Sequence, residues 1–149
     1  MFLAIETSSA ICSVAVLEGN KCIGIKESNS PMMHAEILPI YVKEIMQNLN
    51  IKPDMINAVA VSIGPGSFTG LRIGLSFAKG FSMAHNLPIL PVPTMQSLAY
   101  GLRREKPSQG LFYSHGKYIF YQKYIWEDNL PNFKDKPILE EGAKIIKKI

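Results

Sequence analysis

Cysteine is scarce in this chain. There are two, Cys12 and Cys22, and they form no C-x-x-C pair. That excludes a disulfide-stapled scaffold and a paired-thiol zinc site. Histidine is nearly as rare: His34, His85 and His115 lie far apart, and none belongs to H-E-x-x-H. The paired ligands of a metalloprotease helix are therefore missing. His34, near an expected helix start, reads as a capping or surface residue or as an isolated ligand. The only aspartates, Asp54, Asp128 and Asp135, fall in expected loops. A sugar-kinase-like phosphotransferase would need acids at strand ends to hold Mg²⁺, and Glu6 stands alone in such a place. A Ser-His-Asp triad finds no recognised local context. No apolar run approaches the length of a membrane span. The start, Met1-Phe2-Leu3-Ala4-Ile5-Glu6, has no basic segment of the kind that opens a signal peptide. A cytoplasmic location and no membrane partner are expected. No repeat or low-complexity segment is present.

What the chain does have is 149 residues, of which 47% are hydrophobic, enough for a globular core. The formal net charge is +4, with lysines scattered except at Lys144, Lys147 and Lys148. That tail reads either as a solvated surface or as a contact for RNA phosphates.

The most informative stretch spans 59–74. Val59, Val61 and Ile63 alternate with small residues as a buried strand would. Gly64-Pro65-Gly66 ends the strand, and Ser67 or Thr69 is placed to cap a helix over 70–85. Two readings stand for the turn. Its residues Gly64, Gly66, Ser67, Thr69 and Gly70, with Glu6 nearby, would make a vestigial anion or nucleotide turn, or the glycines serve backbone shape alone. It is not a P-loop, because Leu71-Arg72 stands where Lys-Ser/Thr would follow. Its glycine spacing is one residue longer than the dinucleotide fingerprint. Glu6 itself reads as a carboxylate tied to nearby backbone amides.

Residues 2–8 read as a first strand. Residues 11–17 and 21–27 read as a hairpin around Gly19-Asn20, with Val14 opposite Ile25, Val16 opposite Ile23, Leu17 opposite Cys22 and Cys12 opposite Glu27. The cysteines are then not partners. Ser30 and Pro31 suggest a helix start, and Leu38, Tyr41, Val42, Ile45 and Leu49 recur at helical spacing over 32–49. Met33, Ile37 and Ile40 widen this apolar face beyond one partner, and Pro39 kinks the helix. On helix 70–85, Gly70, Gly74, Ala78 and Ser82 form a small-residue ridge that another helix can approach. Residues 88–92 read as a strand and 94–103 as a helix capped by Thr94. The order β-β-β-α-β-α-β-α over 1–103 is an α/β layer. It resembles the ribonuclease H-like unit of the actin and sugar-kinase superfamily. Residues 104–149 read as a short second subdomain. Two aromatic strands flank His115-Gly116 as sheet core or as a stacking ladder, then come a loop over 127–137 and a basic terminal helix.

Several motifs together resemble the TsaB (YeaZ) family, which serves in making threonylcarbamoyladenosine in transfer RNA. They are Leu3-Ala4-Ile5-Glu6-Thr7-Ser8, Cys12-Ser13-Val14-Ala15-Val16, His34-Ala35-Glu36-Ile37-Leu38-Pro39, and Gly64-Pro65-Gly66-Ser67-Phe68-Thr69-Gly70-Leu71-Arg72-Ile73-Gly74 with Ala78-Lys79-Gly80 after it. The resemblance implies an actin-like fold, shortened at its C-terminal end. It also implies a non-catalytic subunit that pairs with the transferase TsaD. Thr94 and Leu98 stand where TsaD is expected to carry a metal-binding H-x-x-x-H. Its interface would be helices 32–49 and 70–85, with Met33, Ile37, Tyr41, Gly74, Phe77 and Ala78 in contact. No catalytic residue, intrinsic cofactor or metal is expected on this chain; ATP and metal would sit on the TsaD-type partner. A TsaE-type ATPase would join through the complex, transfer RNA would be met indirectly, and the chain alone would form a homodimer. The alternative is an enzyme of the same fold, an ATP-binding phosphotransferase or an M22-type peptidase-like protein.

Overall fold

The computed structural model describes residues 1–29 and 32–147. The expected helix start at Ser30 and Pro31, and the tail residues Lys148 and Ile149, lie outside them. The chain forms two compact units: Met1–Ile63 with Ser67–Val92, and Gly64–Gly66 with the chain from Pro93 onward.

The first unit is built on a five-stranded sheet. Its strands are β1 (Phe2–Glu6), β2 (Ile11–Glu18), β3 (Lys21–Asn29), β4 (Ala58–Ser62) and β5 (Ile89–Val92), in the order β3-β2-β1-β4-β5. β1 pairs antiparallel with β2 and parallel with β4, and β5 continues the parallel half, with Pro91 opposite Val61. Alternation decides which side chains go inward: Leu3, Ile5, Val14, Val16, Val59 and Val61 are all buried. Against them pack α1 (His34–Asn48) through Leu38, Val42, Ile45 and Met46, and α2 (Phe68–His85) through Ala78. Each fully buried aliphatic side chain contributes about 1.5–3 kcal/mol.

Two local expectations change. The hairpin keeps Leu17 opposite Cys22, but a bulge between Val16 and Leu17 shifts everything beyond it. Val16 therefore faces Gly24, Val14 faces Lys26, Ala15 faces Ile25, and Cys12 faces Ser28. One extra residue at Ile23 accounts for the shift. The cysteines remain apart, Cys12 buried and Cys22 exposed. α2 also begins earlier than 70, because Ser67 caps it with a side chain that accepts from the Gly70 amide.

The second unit contains α3 (Thr94–Gly101), β6 (Gln109–His115), β7 (Tyr118–Glu127), β8 (Leu130–Phe133), β9 (Ile138–Glu141) and α4 (Gly142–Ile146). β7 is its spine, pairing with β6 on one edge and with β8 and β9 in succession on the other. α3 belongs here rather than with residues 1–92. Met95 and Ala99 pack with Tyr124, Phe112, Phe120, Trp126 and Phe133 in one cluster, and the Tyr124 hydroxyl donates to the Met95 carbonyl at 3.0 Å. The boundary expected at 103 moves to 92/93 for that reason. These aromatics are sheet core. Thr94 is not the cap of α3; Pro93 holds that position, and the Thr94 hydroxyl is buried without a hydrogen-bond partner. The loop expected over 127–137 contains β8, entered through Asp128 and Asn129, both at positive φ. That is the backbone of a two-residue hairpin turn. The terminal helix expected over 138–149 starts with strand β9, whose Ile138 and Leu139 pair with Tyr121 and Phe120. Among the described residues the helix spans only α4, which buries Ile145 and leaves Ile146 exposed.

Candidate functional site

In the first unit, the segment leaving β1 ties both helices to the sheet. The Glu6 carboxylate accepts from the Ser8 amide at 2.6 Å. The Thr7 hydroxyl, fully buried, donates to the Gly70 carbonyl at 2.8 Å. The Ser67 amide donates to the Ser8 carbonyl at 2.6 Å, and the Gly70 amide to the Ser67 hydroxyl at 3.2 Å. His34 is buried, not on the surface, and its Nε2 lies 3.0 Å from the Ser9 carbonyl. Of the turn residues read from sequence, Glu6, Ser67 and Gly70 meet here. Gly64 and Gly66 belong to the second unit, where the Gly64 carbonyl accepts from the Thr94 amide at 2.8 Å. Most of these bonds join a side chain to the backbone and two join backbone to backbone, and together they satisfy the turn's own polar groups.

The small-residue ridge faces inward. A Cβ on Gly70 would stand 2.0 Å from the Thr7 carbonyl oxygen, and one on Gly74 would stand 2.3 Å from Thr7 Oγ1. Ala78 is wholly buried and Ser82 nearly so. The ridge lets α2 settle onto its own sheet, so Gly74 and Ala78 are not surface contacts for another chain. The expectation that they are is corrected by this burial.

The outward surface is elsewhere on the same helices. A groove of about 520 Å³ runs between α1 and α2, walled by Ala35, Leu38 and Pro39 on one side and by Phe68, Thr69, Arg72, Ile73, Ser76 and Phe77 on the other. Phe77 and Thr69 are the residues of the sequence reading that line it. Phe68 is 67% exposed and Met33 46% exposed. Ile37 and Tyr41 are half-buried against the core and do not line the groove. Tyr41 lies instead beneath Lys26 of β3, which pairs with Glu44. Sequence reasoning passed over Phe68 and Arg72. The signal was a large aromatic in the first turn of a helix with a cation one turn later, where no core residue was needed.

In the second unit, Thr94 is buried and Leu98 is half-exposed. Among the described residues no three His, Cys, Asp or Glu side chains come together as a metal site would require. No described helix is long and apolar enough to cross a membrane.

Comparison with known proteins points one way. A family described as TsaD, tRNA N6-adenosine threonylcarbamoyltransferase, matches residues 20–122. The chain is 35% identical over 97 residues to the tRNA threonylcarbamoyladenosine biosynthesis protein TsaB of Haemophilus influenzae, covering 65% of this chain and 41% of that protein. It is 32% identical over 133 residues to the protein of the same name from Buchnera aphidicola subsp. Schizaphis graminum, covering 87% of this chain and 63% of that one. YeaZ from Pseudomonas aeruginosa superposes with a TM-score of 0.85 at 24% identity, over 94% of this chain and 67% of its own. That superposition establishes a shared α/β fold. The chain spans less than two thirds of the length of the two curated relatives.

Proposed function

This chain is a member of the TsaB (YeaZ) family, within the wider TsaD family, and from that premise we propose that it is the non-catalytic partner of a TsaD-type transferase in threonylcarbamoyladenosine modification of transfer RNA, acting in the cytoplasm. The observation that carries this reading is the largely apolar groove between α1 and α2, with exposed Phe68 in its wall and with Met33 and Ile40 also exposed on α1 and just before it. A surface of that kind has more apolar area than a sheet needs covered and fits a partner helix. ATP and metal belong to the partner in this scheme, a TsaE-type ATPase joins through the complex, and transfer RNA is met through the assembly. The same helices account for a homodimer of the chain alone at high concentration.

Co-purification with a TsaD-type protein, followed by transfer RNA modification with and without this chain, tests the proposal. Stable association and stimulated modification are the expected results. Failure to associate overturns it. Stoichiometric Mg-ATP binding by the chain alone, lost in Glu6→Gln, would favour a phosphotransferase of the same fold instead.

A further inference from the structure

One edge of β7 has a gap in its ladder. β8 ends at Phe133, opposite Tyr124, and β9 begins at Ile138, opposite Tyr121. Gln122 and Lys123 lie between, and the residues in register with them, Gly110 and Gln109, belong to β6 on the other edge. At the gap, residues 134–137 leave the ladder. A cavity of about 230 Å³ lies there, lined by Tyr121, Gln122, Lys123, Asp135, Lys136 and Ile138. Gln122 is 2% exposed, and its Nε2 donates to the Asp135 carbonyl. A carbonyl only accepts, so this bond fixes which end of the amide is nitrogen. The Oε1 at the other end is buried and has no hydrogen-bond partner among the described residues. Burying an acceptor without a donor costs stability, which marks Oε1 as a position that a ligand's donor would satisfy. Tyr121, whose hydroxyl donates to Gln109 at 3.0 Å, stands in register with Ile138. Lys123 and Lys136 are exposed, and neither belongs to the ion pairs Lys26–Glu44 and Lys117–Glu141. Against these two lysines the lining holds one acid, Asp135. The same sign prevails more widely. Of the 16 lysines and arginines, ten lie beyond residue 92, with six of the 12 acids, so the net charge of +4 falls wholly in the second unit.

We propose that this cavity binds a single nucleotide. The base lies against Tyr121 and Ile138 and donates an N–H to Gln122 Oε1, and the phosphate sits at the mouth beside Lys123 and Lys136. Size and charge decide against the alternatives. A water takes about 30 Å³, far less than the cavity, while drug-sized ligands need roughly 300–1,000 Å³. One flat ring system suits the volume. A metal cation would meet two ammonium groups, and a plain anion would leave the Gln122 oxygen without a donor. A nucleotide brings both an N–H donor and an anion, whether it is free or one residue of an RNA strand. The cavity lies in the second unit, so the inference stands independently of the helical groove in the first.

Titration of the isotope-labelled full chain with adenosine monophosphate tests this, read from the backbone amide signals. Saturable shifts centred on Gln122, Lys123, Asp135 and Lys136 are expected, and ribose phosphate, which has no base, should give none. Gln122→Met, close in volume and without the oxygen, should weaken binding about fivefold or more. Lys123→Glu combined with Lys136→Glu, both at exposed positions, should weaken it about tenfold and remove most of its salt dependence. A short single-stranded oligoadenylate separates the two sources: tighter binding than the monomer identifies RNA, and binding no tighter identifies the free nucleotide. Absence of saturable shifts at these four residues with both probes overturns the inference, and so does an affinity that the lysine reversals leave unchanged. If Gln122→Met alters the unfolding temperature and not the affinity, the glutamine is structural and the inference falls as well.

Discussion

At the scale of single residues, three glycines of α2 separate two roles that sequence alone blends. Gly70 and Gly74 touch Thr7 so closely that an added methyl has no room, whereas Gly80 has nothing within 4 Å. Alanine raises helix propensity at each site by about 1 kcal/mol. At Gly80 that gain should appear as increased stability of roughly 0.5–1 kcal/mol in urea unfolding. At Gly74 the overlap with Thr7 Oγ1 should reverse it to a net loss of about 1–3 kcal/mol. Gly80→Ala proving destabilising would show that α2 meets another surface on that side. The thiols offer a second contrast. Burial pushes the Cys12 thiol above its ordinary value, while Cys22 is exposed. A maleimide should label Cys22 in the folded protein and reach Cys12 only after denaturant is added.

At the scale of elements, β7 is where pH will act. Burial pushes the Tyr124 phenol from its ordinary 10.0 up to about 12, and the neutral hydroxyl donates to Met95. The folded state thus holds this proton more tightly than the unfolded one. Its contribution is whole below pH 10 and is lost as pH rises towards 12. Unfolding of the second unit should therefore become easier across that window, and Tyr124→Phe should flatten the dependence while removing the bond to Met95. The Lys117–Glu141 pair acts at the other end. The hydrogen bond from Lys117 holds the Glu141 carboxyl below its ordinary value, so its contribution exists above the ordinary carboxylate range and fades as pH falls through the lowered pKa. The elements themselves were unevenly legible. β1, β4, α1 and α2 announce themselves through alternation, helical spacing and the Ser67 cap. β8 did not, because Pro131 and two asparagines look like loop; the meaning of Asp128-Asn129 lies in two positive φ angles, which composition only hints at. β9 hid in a short basic stretch whose first residues pair with a distant strand.

At the scale of the whole molecule, the sequence marked out the helices but not which of their faces turn inward. Residues recurring every fourth position on α2 mark a ridge of small side chains, and nothing in that pattern says whether sheet or stranger lies against it. Only the close approach to Thr7 decides the matter, and it sends Gly74 and Ala78 inward while Phe68 and Arg72 look out. The core beneath couples the two. Leu38 is fully buried and also forms part of the groove wall, so Leu38→Ala should cost about 2–5 kcal/mol in stability. It should also weaken association with the proposed TsaD-type partner in the co-purification.

The edges of the five-stranded sheet carry one more consequence. At one end lies β3, bulged against β2 and bearing Lys21 and Lys26. At the other lies β5, four residues long with Pro91 in its middle. A bulge, charges and a missing amide each refuse a neighbouring strand. The sheet therefore ends where it ends: crowded copies of this protein have poor templates on this sheet for growing into fibres.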